Sequence, residues 1–244
     1  MGVIEMSSLT KRYGRLTAVD NLTLSVDEGS IFGFLGPNGA GKTTTIKMLV
    51  GLTHPTSGTA TVGDHDIIRE SVKVREIVGV LPDPIGFYDN LTARQTLNFF
   101  RELRRGSECY SVDETLQMFG LDNVADRKLG TFSRGIKQRL GLAQAIMHKP
   151  RVLLLDEPTG GLDPSGMRAF HSLLKRINGE MGVTIFLSTH VLATVDELCN
   201  HIGIIRKGKL AASGALRDVE NEFSADSIDG VFHTVCPAEM QGVS

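Results

Sequence analysis

Apolar positions along the chain follow two distinct rhythms. Leu22, Leu24 and Val26 alternate with polar neighbours, the two-residue period of a half-buried strand. Ile31–Leu35, Val152–Leu155 and Val183–Leu187 are instead short, almost unbroken apolar runs, as expected of strands covered on both faces. Ile77–Leu81 and Ile202–Ile205 read as further short strands, and residues 59–68 as a small β segment. Lys207-Gly208 fits a hairpin turn.

Helical spacing fills the intervals. A helix is expected from near Gly41 to about Val50. Thr92 with Gln95 and Ser111 with Glu114 fit the capping-box pattern. Ser133 opens a helix carrying Ile136, Leu140, Ala143 and Met147 on one face, with Pro150 marking its end. Asp163-Pro164 reads as an N-cap followed by proline at the first helical position, with a stop expected at Gly179. Strands alternating with helices predict an α/β fold: a mostly parallel sheet flanked by helices. A helical block at about 87–148 is inserted into it.

Composition narrows the setting. The chain has 244 residues, 41% of them hydrophobic and 22% charged, which suits a soluble domain with a sizeable core. A net charge of -2 gives no basic footprint, so no nucleic-acid partner is expected. Cys109, Cys199 and Cys236 are scattered and odd in number, which favours reduced thiols. The first residues carry an early acid and no apolar h-region, so no signal peptide is expected. The Met181–Val195 stretch is about fifteen residues long, shorter than the ~18 expected of a membrane span. Any membrane role therefore requires spans from another chain.

The chemistry gathers at predicted strand ends. Gly36-Pro37-Asn38-Gly39-Ala40-Gly41-Lys42-Thr43 matches the phosphate-binding pattern G-x-x-x-x-G-K-[ST]. Its glycines let backbone N–H groups turn toward phosphate oxygens, and the following helix directs its dipole there. Lys42 adds a point charge, and the Thr43 hydroxyl suits Mg²⁺. Val152–Leu155 runs into Asp156 and Glu157. Asp156 fits a metal-binding acid, and Glu157 fits a group that orients and deprotonates water. His190 follows the strand ending near Ser188. In open α/β sheets, ligands gather at the carboxyl ends of strands, where these three sets would meet.

One stretch resists this reading. In Thr131–Leu140, TFSRGIKQRL, the first helical turn holds Arg134 and Gly135. A cation there faces the positive end of the helix dipole, and glycine inside a helix costs roughly 1 kcal/mol relative to alanine.

GPNGAGKTT, FSRGIKQRL, LLLDEPTGGLD and STH, in this order and spacing, make residues 1–218 resemble the nucleotide-binding subunits of ABC transporters. The resemblance implies a P-loop NTPase fold with an antiparallel β subdomain and an inserted helical subdomain. It leaves 219–244 as a short C-terminal extension. It implies binding of ATP with Mg²⁺ by Gly36–Thr44, including Thr44, with Tyr13 stacked on adenine. Lys42, Glu157 and His190 would serve hydrolysis, and Thr43 and Asp156 would hold the metal. FSRGIKQRL takes the place of the family's LSGGQ-type signature, so Ser133, Arg134 and Gly135 would contact ATP held by a second subunit, with Asp163 at the same seam.

Two departures stand out. Phe132, Arg134 and Ile136 replace the signature's common Leu, Gly and Gln. Asp83 occupies the place of the glutamine that senses Mg²⁺ and water; as an anionic oxygen it is expected near the metal. The Ser-Arg-Gly signature and the Ile228–Phe232 segment resemble subunits paired with separate ABC-2-type permeases. The loop holding Phe87 and Tyr88 borders the groove that, in the family, receives a permease's cytoplasmic helix. The implied partners are a second copy or a paralogous subunit, forming an ATP sandwich, and a separate transmembrane permease. The implied location is the cytoplasmic face of the cell membrane, by attachment to that permease. Soluble ABC proteins of DNA repair or translation are disfavoured because no long coiled-coil insertion or second such domain is present. A non-hydrolysing regulatory subunit is disfavoured by the retained Lys42, Asp156, Glu157 and His190.

Overall fold

A computed structural model describes residues 2–104 and 108–237. Positions 105–107 of the expected helical block and 238–244 of the expected extension lie outside the described residues. In chain order the elements are β1 (Gly2–Tyr13), β2 (Leu16–Asp27), β3 (Ile31–Leu35), α1 (Lys42–Leu49), β4 (Ser57–Val62), β5 (His65–Asp66), α2 (Ser71–Ile77) and β6 (Val78–Leu81). Then follow α3 (Ala93–Leu103), α4 (Val112–Met118), two short 3₁₀ turns, α5 (Arg134–Ile146), β7 (Val152–Asp156), α6 (Pro164–Met181), β8 (Thr184–Thr189) and α7 (Leu192–Leu198). The chain continues through β9 (His201–Arg206), β10 (Lys209–Ala215), α8 (Leu216–Glu222) and α9 (Ile228–Val235).

The main sheet has the order β10-β9-β3-β8-β7-β6. All its pairs are parallel except β9–β10, which the Lys207-Gly208 turn joins as a hairpin. The unbroken apolar runs are explained by covering on both faces. Phe32, Phe34, Val152, Leu154 and Phe186 point into one core, beneath an antiparallel sheet of order β2-β1-β4-β5. Ile31, Leu35, Leu153, Leu155, Ile185 and Leu187 point into the other, shared by the helices. Phe32 stacks on Phe186 with centroids 5.5 Å apart, tying adjacent strands within the first core.

The helical block belongs to the second core, through Leu97, Val112, Leu116 and Leu129. Both expected capping boxes form, at Thr92 and Ser111. Helix α5 lies directly on β6. A Cβ at Gly79 would stand 2.2 Å from the Ala145 carbonyl oxygen, and one at Gly141 would stand 2.4 Å from Leu81 Cδ1. The expected stop at Gly179 is not used. Helix α6 runs on to Met181 and ends at Gly182, whose φ of 67° is left-handed and favours glycine. Val219, Ile228, Val231, Phe232 and Cys236 join the second core, so α8 and α9 pack on the body of the domain.

Candidate functional site

Neighbouring strands β3, β8, β7 and β6 deliver their carboxyl ends to one edge. Leu35 lies opposite Thr189, Asp156 opposite Ser188, and Leu81 opposite Leu155. Register alone therefore sets Gly36, His190, Asp156, Glu157 and Asp83 side by side.

The loop from Gly36 to Gly41 can turn tightly because Gly36 and Gly41 bring no side chain against nearby main chain, while Gly39 at φ 78° takes a left-handed conformation in open space. A Cβ at Gly36 would fall 2.3 Å from the Ile205 carbonyl oxygen. Gly41 has φ 116°, and a Cβ there would fall 2.5 Å from the Ala18 carbonyl oxygen. Gly208 N–H donates to the Ala40 carbonyl at 2.9 Å, so the β9–β10 turn braces the loop from behind. Pro37 is half-buried, Asn38, Gly39 and Thr43 are exposed, and Thr44 is partly covered at the start of α1. Tyr13 sits at the end of β1 with Lys11 Nζ 5.0 Å from its ring centroid, and is 47% exposed.

Lys42 is buried. Its ammonium donates to the Gly36 and Pro37 carbonyls at 2.5 and 3.1 Å, and lies 3.2 Å from Glu157 Oε1. Glu157 Oε1 is itself buried and has no aligned hydrogen bond, so this contact is chiefly electrostatic. The other oxygen, Oε2, meets His190 Nδ1 at 2.9 Å. Lys42, Glu157 and His190 thus form one connected line.

Sequence reasoning did not single out Ser188. Its hydroxyl donates to Asp156 Oδ1 at 2.6 Å and accepts from Glu157 N–H at 3.1 Å. The Ser188 carbonyl accepts from the same N–H at 3.2 Å. These bonds hold Glu157 at φ 45°, an uncommon conformation for a side chain other than glycine or asparagine. The available signal was Ser188's place at a strand end beside an acid.

A second group forms apart from the first. Ser133, Arg134, Gly135, Gly161, Leu162 and Asp163 line one cleft of about 460 Å³. The Ser133 hydroxyl accepts from Ile136 N–H at 3.4 Å, and Asp163 caps α6 through Gly166 N–H at 3.2 Å. Arg134 Nη2 lies 3.5 Å from Asp83 Oδ1. Among the described residues, no hydrogen bond or ion pair joins Ser133–Gly135 to Gly36–Thr44. Nor does any group of three or more His, Cys, Asp or Glu converge as a protein-only metal cage.

The sequence profile described as "ABC transporter" matches residues 19–160. The chain belongs to the ABC transporter family. The bacitracin transport ATP-binding protein BcrA of Bacillus licheniformis is 42% identical over 208 residues, 85% of this chain and 68% of its own. Among solved structures, an ATP-binding subunit of an ABC transporter superposes with a TM-score of 0.83 at 29% identity, covering 96% of this chain and 99% of that one. A dimeric ATP-binding cassette in a post-hydrolysis state with ADP and Pi gives 0.78 at 26%, covering 88% and 99%. This member of the family binds ATP and hydrolyses it, and its fold is that of a P-loop NTPase.

Proposed function

We propose that the chain energises a separate membrane permease, and that two copies, or one copy and a paralogous subunit, close head to tail around two ATP molecules with Mg²⁺. One observation carries this reading. Ser133, Arg134, Gly135 and Asp163 are assembled in an exposed cleft, while Lys42, Glu157 and His190 are assembled at the strand ends, with no polar contact between the groups. A two-fold pair supplies each nucleotide with both groups through one self-complementary interface.

The residues at the strand ends fit a Mg²⁺-nucleotide. The glycine cradle admits no side chain at Gly36 or Gly41, a buried Lys42 faces it, and Asp156 is buried and oriented by Ser188. Mg²⁺ takes one or two protein oxygens plus phosphates, which Thr43 and Asp156 can supply, and there it neutralises phosphate charge. Lys42 binds phosphate. Glu157 orients and deprotonates water. His190, on Glu157 Oε2, fixes that carboxylate. Tyr13 offers a ring face for adenine.

The permease is proposed to dock at a second cavity, of about 230 Å³, between the main sheet and the helical block. Leu52, Val80, Phe100 and Met147 line it together with Arg75 and Arg104. Leu52, Phe99 and Leu103 are exposed large hydrophobics nearby in sequence. Apolar surface beside arginines suits a short amphipathic helix with an acidic edge. Among the described residues no helix is long and apolar enough to cross a membrane; the proposed place at the cytoplasmic face of the cell membrane follows from docking on the permease.

Sedimentation tests the pairing. Glu157→Gln is expected to dimerise with ATP and be monomeric without it. Adding Ser133→Arg, a bulky cation in the cleft, is expected to abolish the dimer while leaving monomer ATP binding intact. A double variant that still dimerises on ATP would mark the α5 start as ordinary structure.

A further inference from the structure

Asp83 and Arg134 are 51 residues apart in sequence, yet they meet at 3.5 Å. Helix α5 begins with Arg134, where a cation is disfavoured by the helix dipole. The Asp83 carboxylate offsets that charge. The guanidinium also packs across the loop that leaves Glu157. A Cβ at Gly161 would lie 2.8, 3.0 and 3.1 Å from Arg134 Nη1, Cζ and Nε, and one at Gly160 would lie 3.5 Å from Nη2. That loop is a succession of turns: Gly160 N–H donates to the Glu157 carbonyl at 3.1 Å, and Leu162 N–H to the Thr159 carbonyl at 3.2 Å. Lys137 Nζ to Asp89 Oδ1, at 2.9 Å, ties α5 a second time to the segment after β6.

We propose that Asp83 and Arg134 are a positioning pair. Asp83 fixes the guanidinium, and Arg134 holds the Glu157–Asp163 loop against the start of α5. The carboxylate after β6 then serves the loop that bears the water-activating acid, in place of ligating metal. The pair also links the subunit's own strand-end site to the helix start offered to a second subunit. This rests on the hydrolytic reading above.

The test uses the purified full chain with Asp83→Ala, Arg134→Ala, the double variant and Asp83→Glu. Amide hydrogen exchange over residues 157–163 is read without nucleotide. The pair is half-exposed, so each single variant is expected to speed exchange about two- to fivefold. The double variant is expected to match the larger single effect, and Asp83→Glu to restore slow exchange. Hydrolysis rates are expected to follow the same non-additive pattern, with the Mg²⁺ concentration for half-maximal activity unchanged. Multiplying effects, or normal exchange in Asp83→Ala, would overturn the pairing. A raised Mg²⁺ requirement in Asp83→Ala but not in Arg134→Ala would make Asp83 a metal ligand instead. If the wild-type chain failed to hydrolyse ATP, the functional reading would fall, while exchange would still decide the pair.

Discussion

Replacing Glu157 with Gln should do more than stop hydrolysis; it should tighten ATP binding. In this structure the Lys42 ammonium lies 3.2 Å from Glu157 Oε1 and is also held by the Gly36 and Pro37 carbonyls. Reaching a phosphate weakens its hold on that carboxylate. Two unit charges 3.2 Å apart attract by about 5 kcal/mol at an effective dielectric of about 20. The phosphate replaces much of that attraction, and solvent screens part of the remainder, leaving a net penalty on the order of 1 kcal/mol. Removing the Glu157 charge lifts this penalty and a repulsion between carboxylate and phosphate, so the dissociation constant is expected to fall about five- to tenfold. The amide keeps the shape of the site but cannot take a proton, so turnover should fall at least ~100-fold. Titration calorimetry with ATP on dilute monomer, without Mg²⁺ so that dimerisation does not contribute, isolates the affinity. In a Lys42→Ala background, Glu157→Gln should give a smaller gain, limited to the relief of carboxylate–phosphate repulsion. An unchanged or weaker affinity in Glu157→Gln would refute the claim that the Lys42–Glu157 pair opposes phosphate binding.

Gly36→Ala forces a methyl to within 2.3 Å of the Ile205 carbonyl oxygen, on a strand bonded on both sides. A loss of about 1–3 kcal/mol in urea unfolding and severely weakened ATP binding are expected. Ser188→Ala removes a donor from Asp156 and an acceptor from Glu157 N–H, so hydrolysis should fall about tenfold with ATP affinity retained, as measured by steady-state kinetics. Burial and Arg104 press the His148 pKa down to about 4, while its Nε2 rests 3.1 Å from the Val78 carbonyl. The unfolded chain therefore binds the extra proton between about pH 6.5 and 4, and stability should drop as pH falls through that window, by on the order of 1–2 kcal/mol after screening. Urea melts of His148→Phe should show a shallower decline over the same range.

The elements that speak loudest in the sequence are those whose pattern has one physical cause. Runs such as Val152–Leu155 are apolar throughout because both faces are covered, and capping pairs such as Thr92–Gln95 are local. Strand β1 leaves a weaker pattern. Its register shifts near Leu9 and Lys11 break the alternation, and both edges of the strand are paired. Helix α2 buries only Val74, too little to leave a stripe. Gly179 and Gly182 look alike in sequence, and only backbone geometry shows which one takes the left-handed turn. Glycines and acids at strand ends announced the phosphate site, whereas the meeting of Asp83 with Arg134 depends on how α5 sits beside β6. No sequence spacing encodes that.

The backbone contact between α5 and β6 also limits how the helical block can move. Gly79 and Gly141 let main chain and side chain approach until even a methyl would collide. Among the described residues, the block's buried leucines, such as Leu97, Leu116 and Leu129, belong to the core that also backs the sheet. Swinging the block outward on a hinge would tear that core and expose it to water. Sliding α5 a short way along the groove of β6 would keep it closed. Nucleotide-driven motion in this subunit should therefore be shear, made of small displacements between packed surfaces. Because the cavity bounded by Val80, Phe100 and Met147 straddles that sliding contact, a segment seated there would be carried sideways along the sheet and would not be levered away from it.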